Sequence, residues 1–439
     1  MSVLHFGLTP KMKPVSPRRS TVAAALDVGT DKIVCLIARL KPQSPQEVLR
    51  RRSHGVEVFG FGHVAARGMK SGAISDLAAA EAVVRQAVHI AEKSAGVELE
   101  SVVVSLSAGR IGSERFNSTV DLSSAVTDSD IGRVLAATSR HSARDGRAVL
   151  HSMPMSFAID GAKGIRDPRA MLGRRLGVDM HMVTADVSAA RNLMLTVERS
   201  HVDVEAMVAA PYVAALSVLA DDEADLGAAV IDMGAGTTTM AVFSGGRFVH
   251  ADGFGLGGYH VTMDLARGLN ARIADAERIK TFYGTVIAGG SDERDMITVP
   301  PIGDDEREPP QFVSRASLMR IIRPRVEEIL EMVRDRLAAS PLAAEPRARI
   351  VLTGGASQLV GLPDLAARIL GRNVRIGRPL GVSGLRDAAR GPAFAVAAGL
   401  LVYPQAAHLE HFEPRRTRQL MTGTGGYISR VGQWLRESF

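Results

Sequence analysis

The chain has 439 residues, a net charge of +6 and one cysteine, and is 46% hydrophobic but only 4% aromatic. That length suggests two domains or one large bilobed unit, with a core of Ala, Val, Leu and Ile like that of helix-covered α/β sheets. A lone cysteine excludes an internal disulfide and a cysteine zinc site; the diffuse positive charge argues against nucleic acid and leaves an anionic membrane surface open.

Residues 1–20 (MSVLHFGLTPKMKPVSPRRS) lack an apolar core of signal-peptide length and read as a disordered basic leader on a cytoplasmic protein. From Val22, VAAALDVGTDKIVCLIARL reads as strand, glycine turn, strand, with Cys35 packed inside its apolar run. The longest uncharged stretch, Ala206 to Ala220, is short for a bilayer span and contains Pro211, so a buried helix is expected. From Gly227, GAAVIDMGAGTTTMAVFSGG repeats the first pattern. GFGLGG (Gly253 to Gly258) has the letters of a dinucleotide fingerprint but lacks the first βαβ half, so a loop is expected there. DAERIKTFYG reads as a helix with Glu277 and Lys280 three apart on one face, for which a surface ion pair is the plain reading. RARIVLTGGASQLVGLPDLAARILG (Arg347 to Gly371) reads as strand, Gly-Gly turn and helix; its glycines would let the backbone approach a flat base or ribose.

The repeated Asp-x-Gly pattern, with threonine close behind, has a chemical reading. Glycines at the bend let amides turn toward an anion, and threonine adds a hydroxyl. An aspartate at a strand end would repel phosphate but can hold Mg2+, or water on Mg2+. One such hairpin could be an ordinary turn; two suggest two lobes, each clamping one side of a polyphosphate. The chain has no GxxxxGK[ST] phosphate loop.

At the C-terminus, 406–425 is rich in Pro, Gly, Thr and charge and reads as a flexible linker. About twenty such residues reach roughly 25 Å. On a helix over 426–439, Tyr427, Ile428, Val431, Trp434, Leu435 and Phe439 share an arc of about 140°. An aromatic apolar face edged by arginine suits a lipid interface; docking on the protein's own body is the competing reading.

In this order, the two hairpins, the Glu-x-x-Lys helix and the Thr-Gly-Gly turn resemble the superfamily of actin, heat-shock chaperones and sugar kinases. SMPMSFAIDGAKGIRDPRAMLGRRL (Ser152 to Leu176), DMGAGTTTMAVFSGG, IIRPRVEEIL, RIGRP and the amphipathic tail resemble the FtsA family of bacterial cell-division proteins more closely. The resemblance implies an α/β, actin-like bilobed fold: two ribonuclease-H-like lobes around a nucleotide cleft. The first lobe would comprise 21–100, 184–225 and a return at 378–405, with an inserted subdomain at 101–183. The second would have its core at 226–259 and 350–377 and an outer subdomain at 260–349.

It also implies ATP and Mg2+ as ligands. Gly29, Thr30, Asp31, Gly234, Ala235, Gly236, Thr237 and Thr238 would take the phosphates, and Asp27 and Asp232 the Mg2+ side, through water. Glu277 and Lys280 would reach the ribose or base, and Gly354, Gly355, Ala356 and Ser357 would flank the adenosine. Chaperone relatives carry a glutamate before the proline that here is Pro211; Ala210 stands in its place and cannot orient water, so slow or absent hydrolysis is expected and no catalytic residue is assigned. The implied role is a scaffold on the inner face of the cytoplasmic membrane at the septum, tethering the FtsZ ring through the tail. The implied partners are the FtsZ C-terminal peptide, further copies of the chain in filaments, anionic lipid and later division proteins. Arg315 and, less directly, Arg320 are the candidate peptide contacts; both also fit a solvated helix face. A sugar or metabolite kinase, or another soluble actin-fold ATPase, is the alternative.

Overall fold

The computed structural model describes residues 9–44, 49, 52–108, 110–139, 146–290, 292–301 and 310–410. Two sheets of one plan organise it. In the first, Thr21–Val28 turns at Gly29 and pairs antiparallel with Lys32–Pro42, which pairs antiparallel with His54–Ala65. On the other side, Ser101–Leu106 and then Asp203–Ala209 add in parallel. In the second, Ala228–Met233 pairs antiparallel with Thr238–Ser244, and that strand with Arg247–Phe254. Arg349–Thr353 and Val374–Ile376 then add in parallel. The repeat in the sequence is therefore a repeat of whole sheets; the core of the first also takes in one face of the second (Val230, Ala241, Val351), whose other face has a separate core.

Local chemistry explains these elements. The run Ile33–Ala38 is wholly buried, as strands covered on both faces are. Cys35 lies within it, and burial pushes its thiol up to about 12, which leaves it unreactive. Helix Leu77–Ala95 covers the sheet; the Asp76 carboxylate accepts from the Ala79 amide at 3.1 Å, and Gly96 ends the helix in the left-handed region. Helix Ala395–Ala406 is buried along its whole length. It meets helix Ala210–Val218 so closely that a Cβ on Gly399 would lie 1.8 Å from the Val213 carbonyl oxygen. The stretch Pro392–Glu410 is long and apolar enough to cross a membrane, but 83% of its most apolar window is buried in the protein, as in a core helix.

Four expectations change. Ala206 to Ala220 is not one helix: it is the end of strand Asp203–Ala209 followed by helix Ala210–Val218, because Pro211 fits the first turn, where no amide hydrogen bond is lost. The insertion does not begin at residue 101, since Ser101–Leu106 belongs to the first sheet; the separate four-stranded sheet runs from Gly112 to Asp186. The leader is ordered from Thr9, whose hydroxyl donates to the Val149 carbonyl at 2.8 Å, and Met12 is buried. Residues 406–410, read as the start of the linker, belong to the fold. Glu410 is buried, accepts from Tyr403 Oη at 2.9 Å and His151 Nδ1 at 2.8 Å, and pairs with Lys11. One buried carboxylate thus pins both ends of the described chain to the first lobe. Residues 1–8 and the whole tail, including Tyr427, Ile428, Val431, Trp434, Leu435 and Phe439, lie outside the described residues.

Candidate functional site

The bends of the two hairpins face one another across a cleft of about 550 Å3. They have the same geometry. The Gly29 amide donates to the Lys32 carbonyl at 3.0 Å, and the Gly234 amide to the Thr237 carbonyl at 2.9 Å. A Cβ on Gly29 would lie 2.8 Å from that carbonyl oxygen, and one on Gly234 3.1 Å from its counterpart, so the tight bends favour glycine. The lobes touch behind the cleft: a Cβ on Gly236 would sit 2.4 Å from Thr30 Oγ1 and 2.9 Å from Ser71 Cα.

Most of the predicted residues converge here. Asp27, Gly29, Thr30, Asp31, Asp232, Gly234, Ala235, Gly236, Thr237, Glu277, Lys280, Gly354, Gly355 and Ala356 all line the cleft. Two do not. Thr238 is fully buried and spends its hydroxyl on the Leu256 carbonyl at 2.8 Å, because strand alternation turns it away from the bend. Ser357 is buried and its hydroxyl closes its own turn onto the Gly354 carbonyl at 2.7 Å. Thr30 faces the cleft, but its Oγ1 accepts from the Gly72 amide at 2.8 Å.

Lys280 is more than half of a surface pair. Its ammonium donates to Glu277 at 2.7 Å, Thr262 Oγ1 at 2.8 Å and the Gly258 carbonyl at 3.0 Å. The Gly258 and Tyr259 amides in turn donate to the Gly234 and Ala235 carbonyls at 2.9 and 2.8 Å. This explains GFGLGG: a Cβ on Gly257 would lie 2.5 Å from the Gly234 carbonyl oxygen, so the glycines let this loop pack on the second hairpin.

Charge concentrates at the hairpin end. Burial raises the Asp27 carboxyl, opposed by a 2.7 Å hydrogen bond from Ser105 and by Lys32. Burial pushes Asp232 up to about 7, with Asp27 adding to it and Lys32 opposing. Asp232 accepts no hydrogen bond from the described residues, so a cation or its water would supply what the protein does not. Among the described residues no group of three or more His, Cys, Asp or Glu forms a metal cage. Two carboxylates without a cage suit a hydrated ion that arrives with an anionic ligand. Lys32 was not anticipated. Its ammonium faces Asp27, Asp31 and Asp232 and lies 4.3 Å from the Phe394 ring centroid. The available signal was a lysine immediately after Gly-Thr-Asp at the head of an apolar strand.

Arg315 and Arg320 lie apart from the cleft on helix Arg315–Ala338. Arg315 donates from Nε to the Tyr283 carbonyl at 3.3 Å and stands 3.9 Å from Asp292. Arg320 is exposed and donates to Ser317 Oγ at 2.9 Å.

Comparison with known proteins agrees with this architecture. The family model described as cell division protein FtsA matches residues 229–399, and that of the SHS2 domain inserted in FtsA matches 108–184. The chain is 53% identical over 437 residues to cell division protein FtsA of Agrobacterium fabrum (99% of this chain, 98% of the relative). It is 32% identical over 426 residues to that of Escherichia coli K12 (95% and 98%). Among solved structures, a PilM–PilN type IV pilus biogenesis complex aligns with a TM-score of 0.59 at 17% identity (87% of this chain, 98% of the other). MreB5 of Spiroplasma citri bound to AMPPNP aligns at 0.51 and 15% (88% and 96%). Those two likenesses fix the actin-like fold, and the identity to curated relatives along nearly the whole length shows that the chain belongs to the FtsA family of cell division proteins.

Proposed function

We propose that this chain is an ATP-binding scaffold of the division septum, attached to the inner face of the cytoplasmic membrane by its C-terminal helix and holding the FtsZ ring there. The observation that carries the reading is the pair of matching glycine bends turned into one cleft, with Lys32 and the Lys280–Glu277 pair beside them. The glycine bends and a lysine at one end suit the phosphates. Asp27 and Asp232 would hold Mg2+ through water, and the metal would offset the charge of the phosphates. That the related MreB5 was solved with AMPPNP is in keeping with this.

The same cleft argues for a slow ATPase. Ala210 lines it at the head of helix Ala210–Val218 and brings only a methyl group. A methyl group neither orients water nor accepts a proton. Turnover well below the ~1 per second of an ordinary enzyme follows.

Membrane attachment rests on the tail's pattern. A single helix with Trp434 and Phe439 on its apolar face binds weakly alone, and many tails on one filament bind firmly. ATP-favoured filament contacts would thus couple the cleft to the membrane, and later division proteins would assemble on the same filament. For the FtsZ peptide, Arg315 and Arg320 offer cations on the outer subdomain of the second lobe, and Arg315→Glu should weaken the peptide while sparing ATP. Trp434 is the only tryptophan, so titration of the full chain with anionic liposomes, read by tryptophan emission with and without ATP, tests the whole reading. A blue shift on lipid addition, steeper with ATP, supports it. Emission already blue in buffer and unmoved by lipid places the tail on the body and refutes the anchor.

A further inference from the structure

Strand Asp203–Ala209 is an outer strand of the first sheet, and an outer strand offers its backbone to an extended chain. The chain's own leader occupies that position. The Met207 amide donates to the Pro10 carbonyl at 3.2 Å, and the Thr9 amide and hydroxyl both donate to the Val149 carbonyl of the inserted sheet, at 3.3 and 2.8 Å. Further along, the Val15 amide donates to the Pro404 carbonyl of helix Ala395–Ala406 at 3.5 Å. Thr9 and Met12 are buried, whereas Lys13 and residues 16–20 are exposed. Pro10, Pro14 and Pro17 fix the backbone at three places and keep the segment out of a helix, so little chain entropy is lost when it docks.

We propose that the leader is a strap closed by a latch: Lys11 holds the buried Glu410 carboxylate, and with it the segment from which the chain runs on to the helix read over 426–439. Three donors reach that carboxylate. Tyr403 Oη and His151 Nδ1 donate to Oε1 at 2.9 and 2.8 Å, and the Lys11 ammonium pairs with Oε2 while also donating to the Leu150 carbonyl. His151 brings no charge. It is wholly buried, and the Ala209 amide donates to its Nε2 at 2.9 Å, so its ring proton sits on Nδ1. Among the three donors Lys11 is therefore the only cation. Its side chain is 24% exposed, against 3% for Glu410, so the latch can be opened from the leader's side. A buried carboxylate that loses its cation is strongly disfavoured. Lifting the leader therefore drives Glu410 toward water, and the short turn Ala407–Glu410 goes with it. The fastening works in both directions, since one bond holds both segments. The latch stands on these contacts alone; only its bearing on membrane attachment rests on the reading of the tail.

Amide hydrogen exchange on the full chain tests the latch. Lys11→Met should speed exchange over 405–410 by roughly tenfold or more and leave helix Leu77–Ala95 as in the wild type, while Lys11→Arg should retain protection. Conversely, Glu410→Gln should speed exchange of the Thr9 and Met207 amides, which report the strap. In that background Lys11→Met should add little, because no buried charge remains to be held. Unchanged exchange over 405–410 in Lys11→Met would overturn the proposal. So would exchange raised equally in helix Leu77–Ala95, which would mean general damage to the fold. Additive effects of the two substitutions would also overturn it, since leader and Glu410 would then be held independently. Should Lys11→Met not fold, Thr9→Val removes only the hydroxyl bond to Val149. It should loosen 405–410 by a smaller factor, and no change there would count equally against the strap.

Discussion

The two hairpins have one backbone and two chemistries. Asp27-Val28-Gly29-Thr30-Asp31-Lys32 and Asp232-Met233-Gly234-Ala235-Gly236-Thr237 align residue for residue, and each closes with the same amide-to-carbonyl bond. The first carries side chains: Thr30 holds the Gly72 amide, Asp27 is held by Ser105, and Lys32 brings a cation. The second is stripped to Ala235 and Gly236 at its tip and presses its bare backbone against Thr30 and Ser71. The fold thus repeats a bend, while charge is assigned to one lobe and close approach to the other. Asp232 shows the consequence. Burial pushes Asp232, which no described donor supports, up to about 7; Asp27, also raised by burial, has a hydrogen bond from Ser105, and Lys32 opposes both shifts.

The largest effect should come from filling the contact between the lobes. Gly236→Val places carbon where Thr30 Oγ1 and Ser71 Cα stand. Overpacking at a rigid contact costs about 1–3 kcal/mol, so ATP affinity should fall by up to roughly a hundredfold; calorimetric titration measures it. The second asymmetry is the cation. Lys32→Ala should weaken ATP by about tenfold or more, the worth of a hydrogen bond to a charged group, and Thr237→Ala by much less; equal losses would mean that the hairpins share the charge.

A third contrast lies in the carboxylates. The folded-state pKa of Asp232, about 7, lies above the 3.8 of a free carboxyl, so the proton is held more tightly in the folded protein. Its contribution to stability is full below about pH 4 and is lost as the pH rises through about 7. Ligand-free Asp232→Asn should therefore melt several degrees above wild type at pH 8 (roughly 3 °C per kcal/mol), and by a smaller margin at pH 5. Asp27→Asn should move in the same direction, since burial raises that carboxyl too. The smallest effect is expected for Thr30→Val, which removes one hydrogen bond to Gly72. That is worth about 1 kcal/mol and should lower melting by only about 3 °C.

The parts of the site that were legible in the sequence are those that local backbone chemistry dictates. Glycine where a Cβ has no room, aspartate at the end of a buried strand, and lysine one helical turn from glutamate all keep their meaning without tertiary context. Thr238 and Ser357 were misplaced because a hydroxyl near a bend has two uses, and both spend theirs on carbonyls of the protein. Lys32 was passed over because it heads an apolar strand, and only the fold brings Asp232 toward it. Ser101–Leu106 was assigned to the insertion because a short apolar strand reads alike in either sheet. The packing of the segment from Thr9 to Met12 and the pinning of Glu410 left no local trace, since their partners, Val149 and His151, lie far along the chain.

The central claim is that both hairpins grip one chain of phosphates. Equilibrium titration of the full protein with ATP, ADP and AMP in Mg2+ tests it most directly. If both bends hold phosphate, affinity should stay high from ATP to ADP and collapse for AMP, which is too short to span them. AMP bound as tightly as ATP would mean that the hairpins hold no phosphate, and would contradict the account.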